Sequence, residues 1–128
     1  MKKPYDIRER AFAFACDVIN AYPQDRRIDY PSLRSWNQLT SSASSAGAYL
    51  EEAEAASSRA HFVTLNRGAL REMREAHYWA RLIIATKRSG HQRVGPLRAE
   101  SDELVAIITT IVKNAAKKLK RKGPRPGD

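Results

Sequence analysis

The sequence predicts an all-α protein, an antiparallel up-down-up-down four-helix bundle. Apolar residues recur at helical spacing in four blocks, proline and glycine punctuate the gaps, and the gaps are short or moderate in length. Short connections make consecutive helices run antiparallel. With 128 residues, 42% of them hydrophobic and 29% charged, the chain fits one domain with one core and is too apolar for a disordered polymer. The bundle is expected to occupy residues 1–122, with a disordered tail over 123–128.

The first helix is expected over residues 6–22. Pro4 and Asp6 open it, Asp6 as the cap with Glu9 three residues on, and Ile7, Ala11, Phe14, Val18 and Tyr22 form its apolar stripe. Pro23 stops it, because a residue preceding proline is pushed out of the helical region. Pro31 and Ser32 start the second helix, expected over 32–56. Its apolar positions Trp36, Leu39, Ala43, Ala46, Leu50 and Ala53 alternate spacings of three and four, the seam of helices packed nearly side by side. Ser41, Ser42, Ser44, Ser45 and Gly47 lower helix propensity there, so tertiary packing has to supply what propensity lacks.

Ser57 or Ser58 caps the third and longest helix, expected over 58–89 with Gly90 as its terminator. At 100° per residue, Phe62, Leu65, Ala69, Met73, Ala76, Ala80 and Ile83 fall within about 40° of one line, which is its core face. Gly95 and Pro96 suit the start of the fourth helix, expected over 96–121, in which Leu97, Leu104, Ile108, Ile111, Ala115 and Leu119 repeat at helical intervals. The β-branched run from Ile107 to Val112 resembles a strand by composition. It reads as helix because the stripe continues into an Ala- and Lys-rich segment of high helix propensity.

Net charge is +9, from 23 basic and 14 acidic residues. Such a surplus favours polyanionic partners. Cys16 has no second cysteine to pair with and reads as a small apolar core residue; this suits a reducing, cytoplasmic setting. Arg8, Glu9, Arg10 and Asp17 interrupt any apolar export signal after Lys2 and Lys3, and no uncharged apolar stretch approaches the roughly 20 residues of a membrane span. His61, His77 and His91 never recur four apart, and Glu-x-x-His and glycine-rich phosphate loops are missing. Neither catalytic residues nor a metal or cofactor is expected. Glu72 and Glu75, with Arg71 and Arg74 beside them, suit ion pairing better than acid–base work.

The third helix carries two further edges. Arg67, Arg71, Arg74, Arg81 and Arg88 fall about 100–200° from its core line, one exposed stripe able to track a phosphate backbone. The plain alternative is a solvated face whose arginines pair with acids on neighbouring helices. Tyr78 lies near the middle of the stripe. On the opposite flank, Trp79 and Leu82 are expected to anchor a subunit interface in which Glu72 and Glu75 meet basic side chains. Glu51, Glu52 and Glu54 form an acidic patch late in the second helix, suited to docking on the arginines of a neighbouring subunit. At the far end, Lys113, Lys117, Lys118, Lys120, Arg121, Lys122 and Arg125 exceed what a helix terminus needs, so Lys117, Lys118, Lys120, Arg121 and Lys122 are expected to touch nucleic acid.

The stretch SSAGAYLEEAEAASSRAHF, continuing ALREMREAHYWARLI, resembles the small bacterial four-helix-bundle proteins encoded in intervening sequences of 23S ribosomal RNA genes. The accessory variability determinant of diversity-generating retroelements is a relative of that family. The family's Gly-Ala-Asn-(Leu/Ile)-Glu-Glu-Ala motif is met by Gly47, Ala48, Tyr49, Leu50, Glu51, Glu52 and Ala53. Ser58 and Phe62 follow, then Ala69 to Glu75 and the pair Tyr78 and Trp79. Tyr49 stands for the family's asparagine, Asn66 and Gly68 stand where the family is apolar, and Met73 replaces a small residue. The resemblance implies a homopentamer with a central channel and a role that is undefined for most members; the retroelement relative works non-catalytically, binding its reverse transcriptase and nucleic acid. Together these readings make the expected function binding of RNA or DNA by a basic oligomer; the alternative is a protein-interaction scaffold, for example an accessory subunit of a reverse transcriptase.

Overall fold

Three capping side chains set where the helices begin. The structure, a computed structural model, describes residues 6–122, with side chains up to Lys120. Helix α1 spans Ile7–Ala21, α2 Tyr30–Glu54, α3 Arg59–Ala85 and α4 Gly95–Lys122, with a 3-10 turn at His91–Arg93 before α4. No strand occurs among the described residues. Asp6 accepts the Arg8 amide, Asp29 the Ser32 amide and Ser58 the His61 amide, each satisfying a donor that a helix start leaves unpaired. Helix α2 therefore begins two residues earlier than expected. Asp29 is its cap, and Pro31 falls in the first turn, where a missing N–H costs nothing.

The expected end of α3 at Gly90 is corrected: the helix stops at Ala85. Lys87 adopts the left-handed conformation at φ 51°, and the Lys87 and Arg88 amides reach back to the carbonyls of Ile84 and Ile83 at 3.2 and 3.1 Å. That is the closing pattern usually built on glycine. Gly90, at φ 75°, instead leads into the 3-10 turn. A side chain there would meet Pro23 and Trp36 at 3.1 and 3.2 Å.

Helices adjacent in sequence pack together, most extensively α2 on α3, and α1 closes the ring against α4. All six apolar positions of the α2 seam are buried, Trp36 and Leu39 completely. In α3 the inner line holds from Ala69 to Ile83, whereas Phe62 and Leu65 are half-buried and Val63, Asn66 and Gly68 are buried. Asn66 tolerates this because its Nδ2 donates to the Phe62 carbonyl at 2.9 Å. Cys16 is half-buried and outside the core, since it lies about 140° around α1 from Ala11.

One end of the molecule is tied across both neighbouring loops. The Trp36 indole donates to the Ser89 carbonyl at 2.7 Å, and the Ser89 amide donates to the buried Ser32 hydroxyl at 3.0 Å. Arg93 donates to the Ala21 carbonyl, and the Tyr22 hydroxyl to Asn37. Along the sides, Arg8 near the start of α1 meets Asp6, Glu51 and Glu54. Arg10, 8% exposed, forks onto Glu100 and also reaches Glu103. Burial makes that pair expensive to break, because removing either partner strands a charge.

Tyr49 and Gly68, two of the four departures from the resembled pattern, meet in space. A methyl group at Gly68 would stand 2.7–2.9 Å from the Tyr49 ring, so the tyrosine fills the room a side chain at 68 would need. In most helix interiors Gly→Ala stabilises by roughly 0.5–1 kcal/mol. Here Gly68→Ala is expected to destabilise by about 1–3 kcal/mol through overpacking. In a Tyr49→Ala background the same change should stabilise. Urea denaturation of the four proteins of this cycle measures the reversal; an unchanged sign would separate the two residues.

Candidate nucleic-acid interface

Helix α3 owes its outer surface to the line it buries. With Ala69, Met73, Ala76, Ala80 and Ile83 turned inward and buried, Arg67, Arg71, Arg74 and Arg81 are turned to solvent. None of these four pairs with an acid among the described residues. Arg67, Arg71 and Arg74 share an open hollow of about 410 Å³ with Leu70, Glu75 and Tyr78. A second hollow of about 170 Å³ is lined by Tyr78, Arg81, Leu82 and Ala85. Tyr78, 54% exposed, is common to both.

Arg88 leaves the stripe. It lies beyond the end of α3, and its guanidinium holds the Asp29 carboxylate at 3.1 Å and the Thr86 carbonyl, joining the cap of α2 to the exit from α3. The expected stripe of five thus becomes an edge of four. Lys117, Lys118 and Lys120 are exposed on α4. The side chains of Arg121 and Lys122, and the expected tail over 123–128, lie outside the described residues.

The interface flank is not a separate edge. Glu75 and Leu82 line the same hollows as the arginines, so the acidic, apolar and basic side chains form one broad outer face centred on Tyr78. Trp79 is half-buried, packed against the core and edge-on to Tyr78 with centroids 5.3 Å apart at 85°. Arg34 of α2 lies over its ring at 5.7 Å, a cation–π contact. Arg34 is exposed and belongs to no periodic pattern, so nothing in the sequence singled it out. In the acidic patch, Glu51 and Glu54 approach Arg8 of the same chain at 3.8 and 3.9 Å, while Glu52 lines a hollow with Tyr49 and Leu65.

Glu72 carries the one raised carboxyl on this helix. Burial raises its pKa first, the neighbouring Glu75 charge adds to the effect, and Arg71 opposes it. Its carboxyl hydrogen-bonds to Glu75. On the α4 side, His77 is pushed down, chiefly by burial. Its Nε2 lacks a hydrogen-bond partner among the described residues and stands 3.8 Å from Asp102, too far to bond, which suits a neutral ring. No cluster of His, Cys, Asp or Glu with metal-holding geometry occurs among the described residues. None of the described helices is long and apolar enough to cross a membrane.

A carboxyl raised by folding binds its proton more tightly in the folded state, so its ionisation weakens the fold as pH rises through the window above the ordinary value of 4.5. Glu72→Gln should therefore raise the melting temperature at pH 7. The gain should vanish below the unfolded value, where the wild-type carboxyl is protonated in both states. Thermal melts at pH 7 and pH 4 test this; an equal gain at both would assign the effect to packing.

The chain is similar to a solved protein of unknown function from the S23 ribosomal protein family, from Bacteroides thetaiotaomicron VPI-5482. The two share 27% identity with a TM-score of 0.73, over 84% of this chain and 98% of that one. No family model matches the chain, and no curated relative matches it.

Proposed function

We propose that this protein is a non-enzymatic, cytoplasmic, antiparallel four-helix bundle that binds RNA or other nucleic acid through the α3 arginines and the α4 lysines. The observation that carries the reading is the partition of charge. Arg8, Arg10 and Arg88 are each matched to carboxylates within the chain, whereas Arg67, Arg71, Arg74 and Arg81 have no such partner among the described residues. Unmatched guanidiniums lined along one rigid helix suit the phosphates of a polyanion. The resemblance to intervening-sequence proteins, and a neighbour whose family is called ribosomal, support RNA as that polyanion.

Binding by phosphate contact falls steeply with salt, roughly one power of salt concentration per contact. Replacing Arg71, Arg74 and Arg81 together by alanine is expected to weaken binding across all sequences and to lower the logarithmic salt slope by about three. Fluorescence titrations between low and moderate salt measure it. Salt-insensitive affinity in the unaltered protein would rule the reading out.

On the same reading the protein works as a homo-oligomer, a pentamer if it follows the resembled family, with Trp79 and Leu82 at the subunit contact beside Glu51, Glu52, Glu72 and Glu75. Trp79→Ala with Leu82→Ala should lower the mass seen by light scattering while circular dichroism stays helical; an unaltered mass takes both residues out of the interface. A second reading is an accessory protein-binding subunit, for example of a reverse transcriptase. It draws on Phe12 and Ile19, which are 65% and 53% exposed on the outer side of α1, where a phosphate backbone has no use for them.

A further inference from the structure

The arginine edge is not uniformly polar, and its apolar part has a definite shape. Tyr78 separates the hollow that holds Arg67, Arg71 and Arg74 from the one that holds Arg81. Leu70 floors one side, and Leu82 and Ala85 the other. Along the helix axis Tyr78 stands about 6 Å from Arg74 and about 4.5 Å from Arg81, so cations flank the ring on both sides. The ring also has support. Trp79, itself packed on the core, meets it edge-on at 5.3 Å and 85°. An aromatic ring braced in this way loses little freedom when a ligand covers it.

A duplex gives this arrangement little to do. Its base faces are closed off by their neighbours, and what it presents to a helix edge is phosphate and groove, for which arginines alone suffice. An unpaired strand presents bare base faces as well as phosphates, and every base has a face able to stack on a phenol ring. We infer that Tyr78 is a stacking platform for an unpaired base, with Arg74 and Arg81 taking the phosphates on either side, and that the α3 edge holds single-stranded in preference to paired nucleic acid. This rests on the basic-surface reading above and narrows its ligand to strands with exposed bases. RNA and single-stranded DNA offer the same stacking chemistry.

The test compares three labelled probes by fluorescence anisotropy at one low salt concentration: an oligouridylate, an oligothymidylate and a fully paired duplex of equal length. The unaltered protein should bind the single strands more tightly than the duplex. Tyr78→Ala should weaken single-strand binding by roughly 10- to 100-fold and leave the duplex unchanged, while Tyr78→Phe, which keeps the ring, should bind as the unaltered protein does. Equal losses on all probes, no loss on any, or a Tyr78→Phe variant as weak as Tyr78→Ala would each overturn the platform. Tight duplex binding without single-strand preference would sink this inference alone. Failure of all three probes to bind would sink the basic-surface reading with it. A higher affinity for uridylate than for thymidylate supports the platform with an added ribose contact, and equal affinity supports it with none.

Discussion

The close approach of α2 to α3 is the constraint on which the rest of the molecule depends. Ala43 and Ala46 on one helix, and Ala69, Ala76 and Ala80 on the other, are wholly buried. Small side chains let helices come nearer than leucines would, and Tyr49 lying directly on Gly68 shows how little room is left. A contact this tight fixes the rotation of α3 about its own axis as well as its position. Once the alanine line faces inward, side chains 120–200° away have only solvent to face, and the arginines and Tyr78 are among them. Trp36, buried in the same seam and bonded to the Ser89 carbonyl, then locks the exit of α3 against the entry of α2.

Periodicity made most of the core legible in the sequence, although it also placed Phe62, Leu65 and Leu119 on inner lines that leave them half-buried or exposed. The α2 seam, the inner line of α3 from Ala69 onward and the helical state of the β-branched run Ile107–Val112 all follow from repeats that each helix enforces locally. What was not legible depends on chain segments far apart in sequence. Gly90 looks like a terminator, but the stop falls earlier, on a lysine held left-handed while Arg88 just beyond it is tied to Asp29, 59 residues away. Arg10, which no sequence pattern placed in the interior, is nearly buried, because Glu100 and Glu103 arrive from α4 to neutralise it. The site was legible in part for the same reason. The wheel placed four arginines correctly, but treated Glu75 and Leu82 as another edge, when side chains 120–140° away on the other side curl into the same hollows.

That merging bears on how the two proposed activities coexist. An interface built on Leu82 and a strand held by Arg74, Tyr78 and Arg81 would draw on one face of one helix. Either the subunit contact keeps to the Trp79 side, where Arg34 already covers the indole, or assembly and strand capture compete for the same ground. The raised carboxyl of Glu72 lies on that boundary: its desolvation outweighs the opposing charge of Arg71. A destabilised acid of this kind would gain from any cation that a partner brought to it.

Because α3 is one uninterrupted helix of 27 residues, its outer face works as a ruler whose marks cannot be moved independently. Inserting a single residue near Ala76 would turn everything downstream by about 100°, pointing Ala80 and Ile83 away from the core and swinging Tyr78 and Arg81 off the edge. The helix is thus free to vary by substitution along its exposed side and closed to changes of length. Added or removed residues leave the face in register only at the crossings between helices, such as the loop 22–29 between α1 and α2.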